Sequence, residues 1–167
     1  YSPKNQTTDI QALRKWIREY LDVFKPLGKY EEDQQIVDIC RENELPDLMS
    51  ETLSQLLEEN PYMPQGWSSL ALAQFLAEQY EQALESCDFA LAINSDDNEA
   101  LLTKAHTIFE IGNAKVARSL FEEYMDKGGD PIQTIAYAEG MFRGCNKTEA
   151  IDYLKQVAKH VESRMCE

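Results

Sequence analysis

The chain has 167 residues, 43% of them hydrophobic, and a formal charge of −14. That suffices for one domain with a sizeable core, and it excludes a disordered chain. No apolar run approaches a membrane span, and an acidic chain is a poor ligand for a nucleic-acid backbone, which needs clustered Lys and Arg.

The charge is uneven. Residues 1–30 hold six basic and three acidic side chains, whereas from Glu42 to Thr103 there are thirteen acids and no Lys or Arg. Such a face is either a solvated surface or one that attracts basic partners. Cys40, Cys87, Cys145 and Cys166 lie far apart without a C-x-x-C pair, so they read as buried or incidental thiols rather than a metal site. That usage suits a reducing compartment, and a cytoplasmic location is the expectation. The start at Tyr1 and the closing "ESRMCE", which reads as the tail of an unfinished helix, suggest a processed chain or a piece of a longer one.

In chain order, "DIQALRKWIREYLDVF" comes first. Ile10, Leu13, Ile17, Tyr20, Leu21 and Phe24 form one apolar stripe, with Trp16 at its edge and Arg14, Lys15 and Arg18 on the polar side. This helix can cap the end of an array, dock a partner or membrane surface, or lie in a groove. Breakers follow at "KPLGKY", "ENELPD", "NPYMPQG", "NSDDNE", "KGGDP" and "RGCNK", with weaker ones at "AEQ" and "EIGN". Between them apolar residues recur at three and four, the helical period, and no segment alternates at period two. Asp9, Asp47, Asp97 or Asn98, and Asp130 before Pro131 are candidate N-caps; Gly112 and Gly128 stand where helices should stop. The expectation is an all-α chain of about seven or eight helices.

The sequence also repeats. Ala71, Ala105 and Ala138 recur in phase, as do Ala83, Ala117 and Ala150, and Phe75, Phe109 and Phe142. A period in the thirties with two helices per unit marks a helical solenoid. The unit at 64–97, with Trp67, Leu70, Ala71, Tyr80, Ala83, Ala90 and the closing "INSDDNEA", resembles a tetratricopeptide repeat. Units 98–130 and 131–164 keep much of the pattern, and 30–63 is a degenerate unit whose first helix fits poorly; residues 1–29 lie outside it. A single helical-repeat domain spanning 1–167 follows. The small residues are expected where helices cross closely, and Cys87, in phase with Phe121 and Leu154, as a core thiol.

The resemblance implies a right-handed solenoid whose first helices line a concave groove for peptides. Mapped by phase, the groove residues are Gln65, Ser68, Leu72, Phe75 and Leu76; then Glu99, Leu102, His106, Phe109 and Glu110; then Ile132, Ile135, Glu139, Phe142 and Arg143. The three Phe residues are either an aromatic ladder on the inner wall or core between first helices. The Lys, Arg and Asn clamp that grips acidic tails in one branch of the family is missing, as Ser68, Leu72, Glu99, Thr103 and Ile132 stand there. No catalytic motif is present, His106 lacks a nucleophilic partner in phase, and no cofactor or metal is expected. "NSDDNE" lacks the distal Glu of an EF-hand. Asn5-Gln6-Thr7 and Asn146-Lys147-Thr148 match the glycosylation pattern. The reading is a non-catalytic scaffold binding a partner peptide or helix, with an escort shielding an apolar client, or the regulatory arm of a larger enzyme, as alternatives.

Overall fold

The computed structural model describes the backbone of residues 3–24, 30–63 and 65–166, and the side chains of 9–22, 34–63 and 65–166. Among them every regular element is helical: α1 (Pro3–Glu19), continued by a π-helical turn (Tyr20–Phe24), α2 (Tyr30–Glu42), α3 (Pro46–Glu59), α4 (Gly66–Leu76), α5 (Tyr80–Ile93), α6 (Asn98–Ile111), α7 (Ala114–Asp126), a 3₁₀ turn (Pro131–Thr134), α8 (Ala136–Arg143) and α9 (Lys147–Met165). Nine α-helices are one more than the upper sequence estimate. The poorly fitting first helix of the 30–63 unit is present as α2, and it holds because Ile36, Val37 and Cys40 are buried in the first core cluster. Residues 25–29 of the "KPLGKY" breaker and the Phe24 side chain lie outside the described residues, as do the side chains of the Asn5 motif.

From α2 to α7 each helix packs on the next in sequence, as α8 does on α9, and the first helices α4 and α6 also pack directly on each other. The phased alanines explain how. Ala71, Ala83, Ala105, Ala117 and Ala150 are fully buried, with Ala138 and Ala90 nearly so. One-carbon side chains let helix backbones approach closely, and larger ones there would overpack the contact. Cys87 is likewise buried, and burial pushes its thiol up to about 12. Larger side chains gather in two clusters, one built on Ile17, Leu21, Val37, Leu48 and Leu53, the other on Phe121, Tyr137 and Tyr153. The zone between them, at α4–α5–α6, is small: Ala71, Ala83, Cys87, Ala90, Ala100 and a buried hydrogen bond from Ser86 Oγ to Gln74 Oε1 at 2.6 Å.

The turns inside helix pairs share one device. Glu44, Glu78, Gly112 and Cys145, in steps of 34, 34 and 33 residues, all have positive φ. The next residue's amide then bonds back to the preceding helix: Leu45 to Cys40, Gln79 to Gln74, Asn113 to Ile108, Asn146 to Met141, at 2.8–3.1 Å. These bonds satisfy helix-end carbonyls that would otherwise lack partners. Asn113 and Asn146 then cap α7 and α9 through their side chains, as Asp97 caps α6. Asp130 caps only the 3₁₀ turn that precedes α8. Two cap expectations fail. Asp9 lies inside α1, which begins at Pro3. Pro46 opens α3 with Leu45 as its cap residue, and the Asp47 carboxylate is drawn instead to Arg14, at 2.5 and 3.2 Å.

That ion pair places the N-terminal helix. Arg14 and Arg18 of α1 reach Asp47 and Glu51 of α3, each 33 residues on. In α7 and α9 the same relation holds: Arg118 bonds to Glu149 at 2.6 Å and Asp152 at 2.7 Å, 31 and 34 residues on. So α1 stands to α3 as one second helix stands to the next, and its Ile17 and Leu21 close the first core cluster.

Candidate functional site

On α4, Ser68, Leu72 and Phe75 share a face at steps of four and three; on α6, Glu99, Leu102, Thr103 and His106 do the same. The two faces meet across a cleft of about 480 Å³, which Tyr124 of α7 and Gln133 also line. A second, mainly apolar cleft of about 280 Å³ adjoins it. Leu72 borders both, and Leu76, Leu45, Pro46, Met49 and Cys40 complete the second. Leu72 is 42% and Leu76 56% exposed, so the junction presents apolar surface to water. Glu99 and Glu44 stand on the walls, with Arg41, paired to Asp38 at 3.2 Å, as the one cation among the described residues lining either cleft.

The floor is rigid. Ser68 and Thr103 are buried, and the Ser68 hydroxyl donates to the Gln65 carbonyl at 3.1 Å. Phe75 is half-buried between Tyr80 and the His106 ring, with centroids 5.9 and 6.1 Å away. His106 sits edge-on to Phe121 at 4.9 Å, and its Nε2 lies 3.2 Å from the Gln133 carbonyl. A carbonyl can only accept, so Nε2 carries the proton. Burial holds the His106 pKa below the ordinary histidine value, and the ring is a neutral strut. Burial also lifts the Cys40 thiol to about 11, which removes it as a nucleophile.

Ser68, Leu72, Phe75, Leu102 and His106 therefore come together. Gln65, Phe109, Ile135, Glu139, Phe142 and Arg143 do not line this cleft. Gln65 caps α4 in a left-handed conformation, φ 58°. Phe109 is packed over Gly140, 5.5 Å from the Tyr137 ring, as a wedge between α6 and α8. Ile135 is half-buried at the start of α8. Glu139 and Arg143 form an exposed pair at 3.5 Å, and Phe142 is 43% exposed beside them. The phased Phe residues thus do not form one ladder: two are packed forward onto the next helix pair and the third is at the surface. The contributions from Tyr124, Gln133 and the α2–α3 wall lie outside the expected set. Only the wall had a signal, in the apolar "LPDLM" that opens α3.

No family profile matches the sequence, and no curated protein matches it. The fold is similar to solved structures. One, a crystal structure of MamA, aligns over 100% of this chain and 99% of its own with a TM-score of 0.71 and 16% identity. Another, YrrB, described as a TPR protein with an unusual peptide-binding site, aligns over 96% of this chain and 84% of its own with a TM-score of 0.65 and 15% identity. At such identities the likeness establishes the fold, an all-α helical-repeat solenoid of tetratricopeptide type. Among the described residues no helix is long and apolar enough to cross a membrane.

Proposed function

We propose that this chain is a non-catalytic interaction scaffold that holds a partner's peptide or helix in the trough formed by the two adjoining clefts. The observation that carries the reading is the exposed leucine junction, Leu72 and Leu76, set between rigid walls and continuous with both clefts. A folded chain gains nothing by leaving such side chains in water, and an apolar anchor from a partner would remove them from it. The acidic walls at Glu44 and Glu99 favour an occupant whose apolar anchors are flanked by basic residues. The description of YrrB as peptide-binding agrees with this use of the fold. A random peptide library displayed on phage tests it. Enriched peptides should share apolar anchors with flanking Lys or Arg. They should bind Leu72→Glu at least tenfold more weakly, because it buries a charge, while its circular dichroism stays native. Enriched peptides that bind Leu72→Glu as tightly as the parent chain would refute the trough.

A further inference from the structure

The second helices α1, α3, α5, α7 and α9 follow one another along the array with shallow gaps between them, one of which is a cleft lined by α3, α4 and α5. The chain fills most of these gaps with its own cations. Between α1 and α3 stand Arg14 and Arg18. Beside α5, Lys104 reaches Asp88 at 2.8 Å, and at the end of α7 Lys127 reaches the Ser95 carbonyl at 2.9 Å. Between α7 and α9, Arg118 takes Glu122, Glu149 and Asp152 at 2.6–2.9 Å while its guanidinium lies 5.6 Å over the Tyr153 ring. That last gap shows what such a space accepts: a guanidinium held edge-on by carboxylates and face-on by an aromatic ring.

The gap between α3 and α5 has the carboxylates and the ring but no cation. It is a cleft of about 340 Å³ with Glu58 on one wall, Glu85 and Phe89 on the other and Trp67 at one end. Glu85 and Phe89 are one helical turn apart, so carboxylate and ring share a face. By phase Glu85 stands where Asp152 stands beside Arg118, two units on. Phe89 is 54% exposed and stacked on Trp67 at 4.7 Å, and Trp67 is fixed by its indole N–H donating to the Pro61 carbonyl at 2.8 Å. Glu58 and Glu85 have no ion-pair or hydrogen-bond partner among the described residues. The stretch from Glu42 to Thr103, which supplies all three walls, contains no Lys or Arg to give them one.

We propose that this gap is a docking site for an arginine side chain of a partner protein, with Glu58 and Glu85 taking the guanidinium edges and the Phe89–Trp67 stack its face. The site lies on a different side of α4 from the trough and does not depend on it. The test titrates the full chain with the peptide acetyl-Arg-Arg-Arg-amide at low ionic strength and follows amide and indole resonances by NMR. Saturable shifts are expected at the Trp67 indole and Gln82, with Trp16 unmoved as an internal control. Glu58→Gln and Glu85→Gln should each weaken binding about threefold, and Phe89→Ala about as much. The matching lysine peptide should bind more weakly, because an ammonium does not stack. Ser54→Arg, which places a cation of the chain itself in the gap, should abolish the shifts. Shifts scattered over the acidic surface, or a titration untouched by Glu85→Gln and Ser54→Arg, would overturn the proposal.

Discussion

Gly140 is the position at which packing and helix propensity oppose each other most sharply. It lies inside α8, where glycine is worth about 1 kcal/mol less than alanine, so propensity alone makes Gly140→Ala stabilising. The structure says otherwise. A Cβ at Gly140 would overlap the Phe109 ring, with Cε1 only 2.6 Å away. That ring has no free retreat, because Tyr137 stands 5.5 Å from it and Tyr137 is itself 2% exposed. Overpacking of this kind costs about 1–3 kcal/mol, enough to turn the propensity gain into a net loss of about 1 kcal/mol. Phe109→Ala alone should cost about 2 kcal/mol, less than a fully buried phenylalanine, since the ring is only half-buried. With the ring gone the obstacle goes too, and Gly140→Ala should then stabilise by about 1 kcal/mol. The sign reversal is the signature, a coupling of about 2 kcal/mol, within the range for residues in contact. Urea unfolding of the four chains by circular dichroism measures it. If Gly140→Ala stabilised both backgrounds equally, Phe109 would not be the wedge described, and its availability to a ligand would reopen.

Other consequences are as specific. Arg118→Ala strips Glu149 and Asp152 of their shared cation and should lower stability by about 2 kcal/mol; Arg118→Lys should recover less than half, since a compact ammonium lacks the planar fork that spans the three carboxylates and lies over the Tyr153 ring. Glu78 and Cys145 hold φ near 60° without being glycine, so Glu78→Gly and Cys145→Gly should each raise the stability read from urea unfolding by about 0.5–1 kcal/mol, whereas Gly112→Ala, at φ 106°, should lower it. The two histidines should give opposite pH slopes. Asp126 holds the His160 pKa above the ordinary value, so its contribution is complete below about pH 6.5 and lost as pH rises through the raised value; His160→Gln should therefore destabilise in mild acid and progressively less as pH rises. Burial holds the His106 pKa down, so the unfolded chain takes that proton first and stability falls below about pH 6.5; His106→Gln should flatten this acid slope in thermal melts. Ala83→Leu should cost about 1–3 kcal/mol while exposed Glu81→Ala stays within about 0.5 kcal/mol, and equal melts would count against the helix-crossing role of Ala83.

The sequence discloses the crossings because alanine in a close, dry helix contact has no apolar substitute of similar size except glycine, so it recurs in phase and can be seen. It also discloses which residues of α4 and α6 share a cleft, because both helices are regular and their faces follow from steps of three and four. The residues of α8 that share their phase do not line that cleft, for a geometrical reason. Pro131–Thr134 forms a 3₁₀ turn, which advances about 120° per residue rather than 100°. Four residues of it rotate the face that follows by roughly 80°, which carries Glu139, Phe142 and Arg143 out of line with Leu72 and Leu102. Asn113 and Asn146 went unread as caps because one sits inside a break and the other inside a glycosylation-like triplet. The arginine pairs between second helices leave no local motif, since Arg14, Arg18, Arg118 and Arg164 reach partners 31–36 residues away.

Why both candidate surfaces gather on one helix pair follows from the same residue choices. Clefts of about 430, 340, 480 and 280 Å³ all border α4. In the flanking pairs, large side chains fill the space between helices and arginines seal the gaps between second helices. In α4 and α5, Ala71, Ala73, Ala83, Cys87 and Ala90 hold the backbones together without bulk to spare for the edges. The absence of any Lys or Arg from Glu42 to Thr103 leaves those edges unsealed. Tight helix crossing and open surface are thus one design at this point of the array. A chain that restored both the bulk and the cations there, through Leu72→Phe and Ser54→Arg together, should be no less stable than its parent and should bind neither trough peptides nor the arginine probe as tightly. If it kept both affinities, the clefts around α4 would be incidental to binding.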